Sequence, residues 1–170
     1  MTTTPQLPDA AERAELIETL DKHRGLLRRT CRDLTDEQAA ERTTVSALCL
    51  GGLIKHVTLV EARWRSFVVG GAEAMEAQPV DWEGQFRMAE GDTLAGLLAA
   101  YEQVAAETDE LIATLPELGL PQPLPVKPWF PPGTAWSARR VILHLIAETS
   151  QHAGHADIIR ESLDGAKSMG

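Results

Sequence analysis

Seven prolines lie between residues 116 and 132, in the stretch PELGLPQPLPVKPWFPP, and this cluster constrains the fold more than any other feature of the sequence. A proline lacks the backbone N–H that a helix needs, and its ring clashes with the preceding helical turn. The stretch is therefore predicted to be non-helical. The segments on both sides of it repeat apolar residues at helical spacing, so the cluster is a long connection between two helices.

Four amphipathic helices are predicted from that spacing and from the signals at their ends. They cover about residues 9–32, 46–71, 92–115 and 136 or 137 to 163. Residues typical of helix ends stand at these limits, with Asp9, Ser46 and Asp92 as N-caps and Gly70, Gly71 and Gly165 at C-terminal ends. Thr35 and Gln38 have the spacing of a capping box, which predicts a short helical turn after the first helix.

These segments predict an all-α fold, a four-helix bundle in one domain over residues 1–170. Residues that favour strands are sparse and never alternate over a useful length. The connections after the second and third helices, about 72–91 and 116–136, are too long for a simple up-down hairpin. They favour a bundle with long crossover connections. The aromatic part of the second connection is predicted to be an ordered cover over one end of the bundle.

Composition excludes several classes of function. The formal net charge of −9 argues against a nucleic-acid surface, which needs clustered lysines and arginines. No apolar run is long enough to span a membrane, and the polar N-terminus does not resemble a signal peptide. Cys31 and Cys49 are the only cysteines, and free thiols in a cytoplasmic protein are the simplest interpretation.

The fourth predicted helix contains HLIAETSQHAGH, residues 144–155, with three of the chain's five histidines and one glutamate. On a wheel of about 100° per residue, these four side chains fall within an arc of roughly 80°. The apolar residues of the helix point the same way, so the ionisable groups stand in the stripe that faces the core. Burying them without partners costs several kcal/mol, on the order of the stability of a whole domain.

A divalent cation would compensate these groups, because it accepts lone pairs from imidazole and carboxylate together. Glu148 and His152 are one turn apart and can reach one point beside the helix. His56 lies on the core-facing stripe of the second helix and supplies a third ligand. Three protein ligands leave part of the coordination sphere open, which is typical of a catalytic site, whereas structural zinc sites close all four positions.

The two remaining histidines of this helix allow alternatives. His144 could replace one ligand, but the preferred interpretation is a core residue or one that orients a ligand from outside the coordination sphere. His155, one turn beyond His152, could be a fourth ligand, an acid–base group or a hydrogen-bond partner of a ligand. Cys49 lies two turns from His56 and is predicted to fill the core.

Several other residues allow two interpretations, a frequent structural role and a rarer functional one. Four aromatic residues could line a pocket mouth, although core packing is the more frequent role: Trp64, Trp129, Phe130 and Trp136. Glu61 and Arg63 are predicted to form solvated ion pairs, with a contact to substrate as the alternative for Arg63. A lone buried histidine is usually a core residue with a hydrogen-bond partner, and the combination with Glu148 and His152 is what favours metal binding at His56.

The sequence resembles the DinB-like superfamily of metal-binding four-helix bundles. The resemblance rests on GLIKHVTLVEARW in the second helix and ARRVILHLIAETSQHAGHADIIRESLDG in the fourth, and LLRRTCRDLTDEQAAERTT is similar to the family's first helix and turn. The family commonly has a His-x3-His pair on its fourth helix, but Glu148 stands here where the first histidine would fall. That arrangement is similar to the mycothiol-dependent maleylpyruvate isomerase and S-transferase branch, which binds zinc through His, Glu and His.

The resemblance implies that His56, Glu148 and His152 bind zinc, although the carboxylate would also suit nickel or another divalent ion. It implies an enzyme that uses a low-molecular-weight thiol such as mycothiol to attack an electrophile, in S-transfer or thiol-dependent isomerisation. His155 is then the candidate catalytic group for proton transfer, and a homodimer is plausible. The alternative is a non-catalytic binding or stress-response module in which the metal holds two helices together.

Overall fold

The computed structural model describes residues 10–169. Within that range the chain forms five helices and a two-stranded sheet. The elements are α1 (Ala10–Thr30), α2 (Asp36–Ala40), α3 (Leu50–Glu76), α4 (Leu94–Thr114), β1 (Pro121–Pro123), β2 (Ala135–Ser137) and α5 (Ala138–Asp164). The predicted all-α class is confirmed, because the sheet holds only three residues per strand.

The four long helices form a bundle in which α1 and α3 each pack against both α4 and α5. The connection from 77 to 93 therefore joins the neighbouring helices α3 and α4. The proline-rich connection from 115 to 134 crosses the bundle, because α4 and α5 lie diagonally across it. On the way it pairs β1 antiparallel with β2, with Gln122 opposite Trp136. Prolines are tolerated in such a short edge strand because few of its N–H groups are needed for pairing.

The predicted capping box is confirmed, and two predicted N-caps are wrong, one by three residues and the other by one. Thr35 accepts a hydrogen bond from the N–H of Gln38, whose side chain accepts one in return from Thr35. Ser46 does not cap α3; its hydroxyl accepts from the N–H of Leu48 within a local turn, and the helix begins at Leu50.

Thr93, and not Asp92, caps α4 by accepting a hydrogen bond from the N–H of Gly96. The carboxylate of Asp92 is drawn away because it accepts from the N–H of Ala89 and pairs with Lys55 at 2.8 Å. The start of α5 after Ser137 and its end before Gly165 agree with the prediction. The predicted cap at Asp9 lies outside the described residues.

The predicted end of the second helix at Gly70–Gly71 is a kink and not an end. Gly71 has φ of +69°, yet helical backbone continues to Glu76. The break frees the carbonyl of Val68, which accepts a hydrogen bond from the side chain of Gln122 on β1 at 2.8 Å. The connection after α4 thus supplies a hydrogen-bond donor for the carbonyl that the kink exposes, and α3 changes direction at Gly70 and Gly71.

Two apolar clusters fill the bundle with a polar layer between them. One is built around Leu20, Phe67 and Leu145, and the other around Leu27, Leu53 and Ile159. Between these levels lies Arg24 of α1, which is fully buried and paired with Glu61 of α3. Arg24 also donates to Asp109 of α4 at 2.8 Å, so the layer links three helices. No helix among residues 10–169 has the length and apolarity to cross a membrane.

Candidate metal centre

The predicted ligands His56, Glu148 and His152 meet between α3 and α5. One potential ligand atom from each lies within 4.8 Å of the other two. The rings of His56 and His152 are 4.8 Å apart, nearly perpendicular. Nε2 of His152 is 3.4 Å from Oε2 of Glu148, about the separation of two ligand atoms on one tetrahedral ion with bonds of about 2.0–2.2 Å. The two-helix arrangement anticipated from the spacing therefore brings all three side chains together.

His56 is held in a way that prepares one nitrogen to bind a cation. It is 8% exposed, its Nδ1 lies 3.0 Å from Oε1 of Gln85, and its ring stacks on Phe86. Since the amide oxygen of Gln85 can only accept, Nδ1 carries the proton and Nε2 keeps its lone pair. Burial, with a contribution from His152, lowers the pKa of His56 to about 4. A neutral imidazole is the form that binds metals.

Glu148 is the acidic member of the group. The hydrogen bond from His152 lowers the pKa of Glu148, with help from the other two nearby histidines and against the effect of burial. The carboxylate is thus charged at neutral pH, and 30% of its side chain remains exposed. Two imidazole nitrogens and one carboxylate oxygen are a donor set that suits zinc and other divalent ions. The residues present therefore fit a divalent metal.

His144 and His155 lie on different sides of this group. Nε2 of His144 is 3.7 Å from Oε1 of Glu148, and its ring packs edge-on against Trp64 and Trp136. Nδ1 of His155 is 3.4 Å from Nδ1 of His152, the nitrogen of that ring other than the one beside Glu148. His144 thus lies beside Glu148, beyond hydrogen-bond distance, and His155 lies beside His152.

A cavity of about 510 Å³ opens beside the three residues, with His56, His144 and Glu148 on its wall. The rest of the wall comes from α3 and from both long connections, which supply aromatic, polar and charged side chains. The aromatic members are Trp64, Trp82, Trp129 and Phe130. Among the described residues, His155 does not belong to this wall. The second connection was predicted to cover one end of the bundle. Four of its residues lie in the wall of this cavity: Pro125, Lys127, Trp129 and Phe130.

Three of the four aromatic residues that could have lined a pocket do so. Trp64 is buried and stacks on Trp136 at 4.8 Å, so Trp136 supports the wall from behind. Phe130 contacts both of these rings edge-on. Trp129 is 61% exposed and contacts Trp82 of the other connection at 6.1 Å. The two connections thus meet through tryptophans at the mouth of the cavity.

A glycine near the start of α3 lets the first connection approach the site. A methyl group on Gly52 would lie 1.9 Å from the carbonyl oxygen of Phe86, which no side chain can occupy. This close approach places Gln85 and Phe86 against His56. Cys49 is buried here, as predicted, and its thiol donates to the same carbonyl at 3.7 Å. Both cysteines of the chain are free.

The prediction of solvated ion pairs was wrong for Glu61 and Arg63. Glu61 is 1% exposed and pairs with the buried Arg24, since both face the centre of the bundle. Arg63 lies in the cavity wall and donates a hydrogen bond to the carbonyl of Gln78 at 2.7 Å. Sequence reasoning missed Arg24, although its spacing from Leu20 and Leu27 places it in the apolar stripe of α1. It also missed Gln85, for which the sequence carries no signal.

Comparison with known proteins places the chain in a family. The family described as mycothiol-S-transferase matches residues 15–165. A conserved protein of Enterococcus faecalis with a known crystal structure shares the fold, with a TM-score of 0.64 and 15% identity over 90% of this chain and 97% of that one. No curated protein matches the chain. The resemblance to DinB-like bundles is thereby confirmed, and the chain belongs to the mycothiol-S-transferase family.

Proposed function

We propose that the protein is a metal-dependent S-transferase that joins a low-molecular-weight thiol, mycothiol in the first instance, to an electrophile. The observation that carries the proposal is the His56–Glu148–His152 group at the edge of a cavity large enough for a small molecule. Cavities of about 300–1,000 Å³ are typical of small-molecule sites. The family of the chain supports the choice of thiol.

In this proposal His56, Glu148 and His152 hold a divalent ion, zinc before nickel. Such an ion supplies one piece of chemistry, the lowering of the pKa of a bound thiol toward neutrality. The chain itself does not supply the reacting sulfur, because neither cysteine belongs to the cavity wall among the described residues. Burial also raises the pKa of Cys31 to about 11.

The transfer balances without a redox partner. The thiolate sulfur forms a bond to the electrophilic carbon, the leaving group departs with the bonding electron pair, and the thiol proton passes to solvent or to a histidine. The aromatic wall would shield one side of the reacting atoms from water, and His144 packs beside Glu148, with its Nε2 3.7 Å from Oε1. His155 remains the candidate for proton transfer, although its contact with His152 also supports an orienting role.

The direct test supplies zinc-loaded protein with mycothiol and monochlorobimane and measures the fluorescent conjugate. We expect conjugation above the uncatalysed rate, and its loss in His152→Ala together with the loss of bound zinc by elemental analysis. His23→Ala on α1 is the matched control and should keep both. Absence of conjugation with mycothiol and every other cellular thiol would remove the proposal.

His155→Ala separates the two roles proposed for that residue when zinc content is measured alongside rate. A proton-transfer role predicts a lower kcat at full zinc occupancy. An orienting role predicts weaker zinc binding, with kcat restored when zinc is saturating.

A non-catalytic, metal-stabilised module is the second candidate, favoured by the origin of the ligands on two different helices. In that case the ion fastens α3 to α5, and a chelator should lower the Tm strongly. A catalytic site predicts a smaller change in Tm with loss of activity. The homodimer and the cytoplasmic location also remain proposals, and size-exclusion chromatography with light scattering tests the first of them.

A further inference from the structure

Arg63 shares the cavity with the metal group but plays no part in it. It stands seven residues after His56 on α3, so both side chains lie on one face about 10 Å apart along the helix. The cavity extends between these two levels, past Leu59 and Val60. A ligand that reacts beside His56 and Glu148 can therefore reach Arg63 with its other end.

Arg63 has no acidic partner at ion-pair distance among residues 10–169, although Glu76 in the same cavity wall raises its pKa through charge interaction. Its one hydrogen bond to the described residues goes to the neutral carbonyl of Gln78, and none of the ion pairs among residues 10–169 includes it. The other cation on the wall, Lys127, is paired with Glu76 at 2.5 Å, so the nearest acid is already occupied. Partial burial lowers the pKa of Arg63, but a guanidinium stays charged. A half-buried guanidinium that forms no direct ion pair can bind an anion.

Aromatic side chains form part of the cavity wall. Trp64 and Phe130 pack edge-on against each other, and Trp129 extends the surface toward the mouth. Aromatic faces of this kind bind flat apolar groups. The cavity therefore offers a reactive end at His56 and a cationic end at Arg63, with Leu59 and Val60 between them on α3 and the aromatic side chains along its wall.

We propose that Arg63 binds the carboxylate of an electrophile whose flat apolar body lies against Trp64 and Phe130 and whose reacting carbon points toward His56 and Glu148. The class of substrate is thus an aryl or similarly flat electrophile with a terminal carboxylate, which a guanidinium can bind through two parallel hydrogen bonds. The reactive half of this inference rests on the proposed function, whereas carboxylate binding at Arg63 does not.

The kinetic test compares 4-(chloromethyl)benzoate with 4-(chloromethyl)benzamide, which lose the same chloride to the thiolate and are similar in shape, but only the benzoate carries a negative charge. In the zinc-loaded protein with mycothiol we expect kcat/KM to favour the benzoate by about tenfold or more. Arg63→Gln should bring the ratio close to 1, and Arg63→Lys should restore part of it. Arg65→Gln is the matched control, since Arg65 pairs with Glu107 outside this cavity and should keep the wild-type ratio.

A binding measurement keeps the inference testable if no electrophile reacts. Quenching of tryptophan fluorescence by the unreactive 4-methylbenzoate and 4-methylbenzamide reports occupancy beside Trp64 and Trp129. We expect tighter binding of the benzoate in wild type and Arg65→Gln but not in Arg63→Gln, with and without zinc.

Equal affinity for the two ligands would overturn the assignment. A benzoate preference that is lost when zinc is removed, or one that survives in Arg63→Gln, would also overturn it. Selective binding at Arg63 without any thiol conjugation would instead refute the proposed function alone. Conjugation of both electrophiles without preference would leave the proposed function standing and refute the role of Arg63.

Discussion

Gln85 fixes the ring of His56 although it belongs to an irregular connection 29 residues away in sequence. Its own amide group donates to the carbonyl of Trp82 at 3.2 Å, so the oxygen faces the imidazole in a fixed direction. Partners of this kind set the tautomer of a metal-binding histidine. At the scale of single residues, the site thus depends on a neighbour that is not itself a ligand.

Replacing Gln85 with Ala should therefore weaken zinc binding by about 10–100-fold, because His56 loses the acceptor that holds its Nδ1–H. The measurement is a competition titration against a chromophoric chelator. Gln103→Ala, on the exposed face of α4, should leave the affinity unchanged. Equal affinities in the two variants would mean that the contact does not orient His56.

The three candidate ligands could be predicted to meet because helical spacing determines which residues of one helix share a face. Glu148 and His152 are one turn apart, and His56 stands on the apolar stripe of its own helix. Gln85 could not be predicted in this way, since the position of a residue in a 17-residue irregular connection depends on tertiary packing. The same holds for Arg63, whose side chain meets the cavity only because the connection around Gln78 passes over α3.

At the scale of elements, the contact between Gly52 and Phe86 joins α3 to its following connection. Helical periodicity located α3, but it could not reveal that Gly52 near its start allows the backbone at Phe86 to pass against it. The kink at Gly71 could not be predicted from periodicity either. A glycine pair at the end of an apolar pattern favours a helix end, but here helical structure resumes after the kink, and Gln122 donates a hydrogen bond to the carbonyl of Val68.

Gly52→Ala should displace the connection at Phe86 and pull Gln85 away from His56. We expect a loss of about 1–3 kcal/mol in the free energy of unfolding, as for other overpacked sites, together with weaker zinc binding. Urea denaturation and the chelator titration measure the two effects. Gly25→Ala is the matched control, because an added methyl there meets nothing within 4 Å and should stabilise α1 by about 0.5–1 kcal/mol. A Gly52→Ala protein with wild-type stability and affinity would contradict this account of the contact.

At the scale of the whole molecule, the bundle places a polar layer between its two apolar clusters. Arg24, Glu61 and Asp109 come from three helices, and the candidate metal centre bridges α3 and the fourth. Charges buried in this way restrict how helices can shift along one another, because sliding by a turn would leave them unpaired. We infer that the layer helps to fix the register of α1, α3 and α4.

The Arg24–Glu61 pair should accordingly behave as a unit in a double-mutant cycle. Arg24→Met leaves a carboxylate that is 1% exposed without its main partner, and we expect a loss of about 3–5 kcal/mol in the free energy of unfolding. Adding Glu61→Leu removes the unpaired charge and should recover much of that loss. The exposed pair Arg65–Glu107 provides the control cycle, with an expected coupling of about 0–1 kcal/mol. Additive effects of Arg24→Met and Glu61→Leu would show that the two charges stabilise the bundle independently, and the register would then have to be set by the apolar clusters alone.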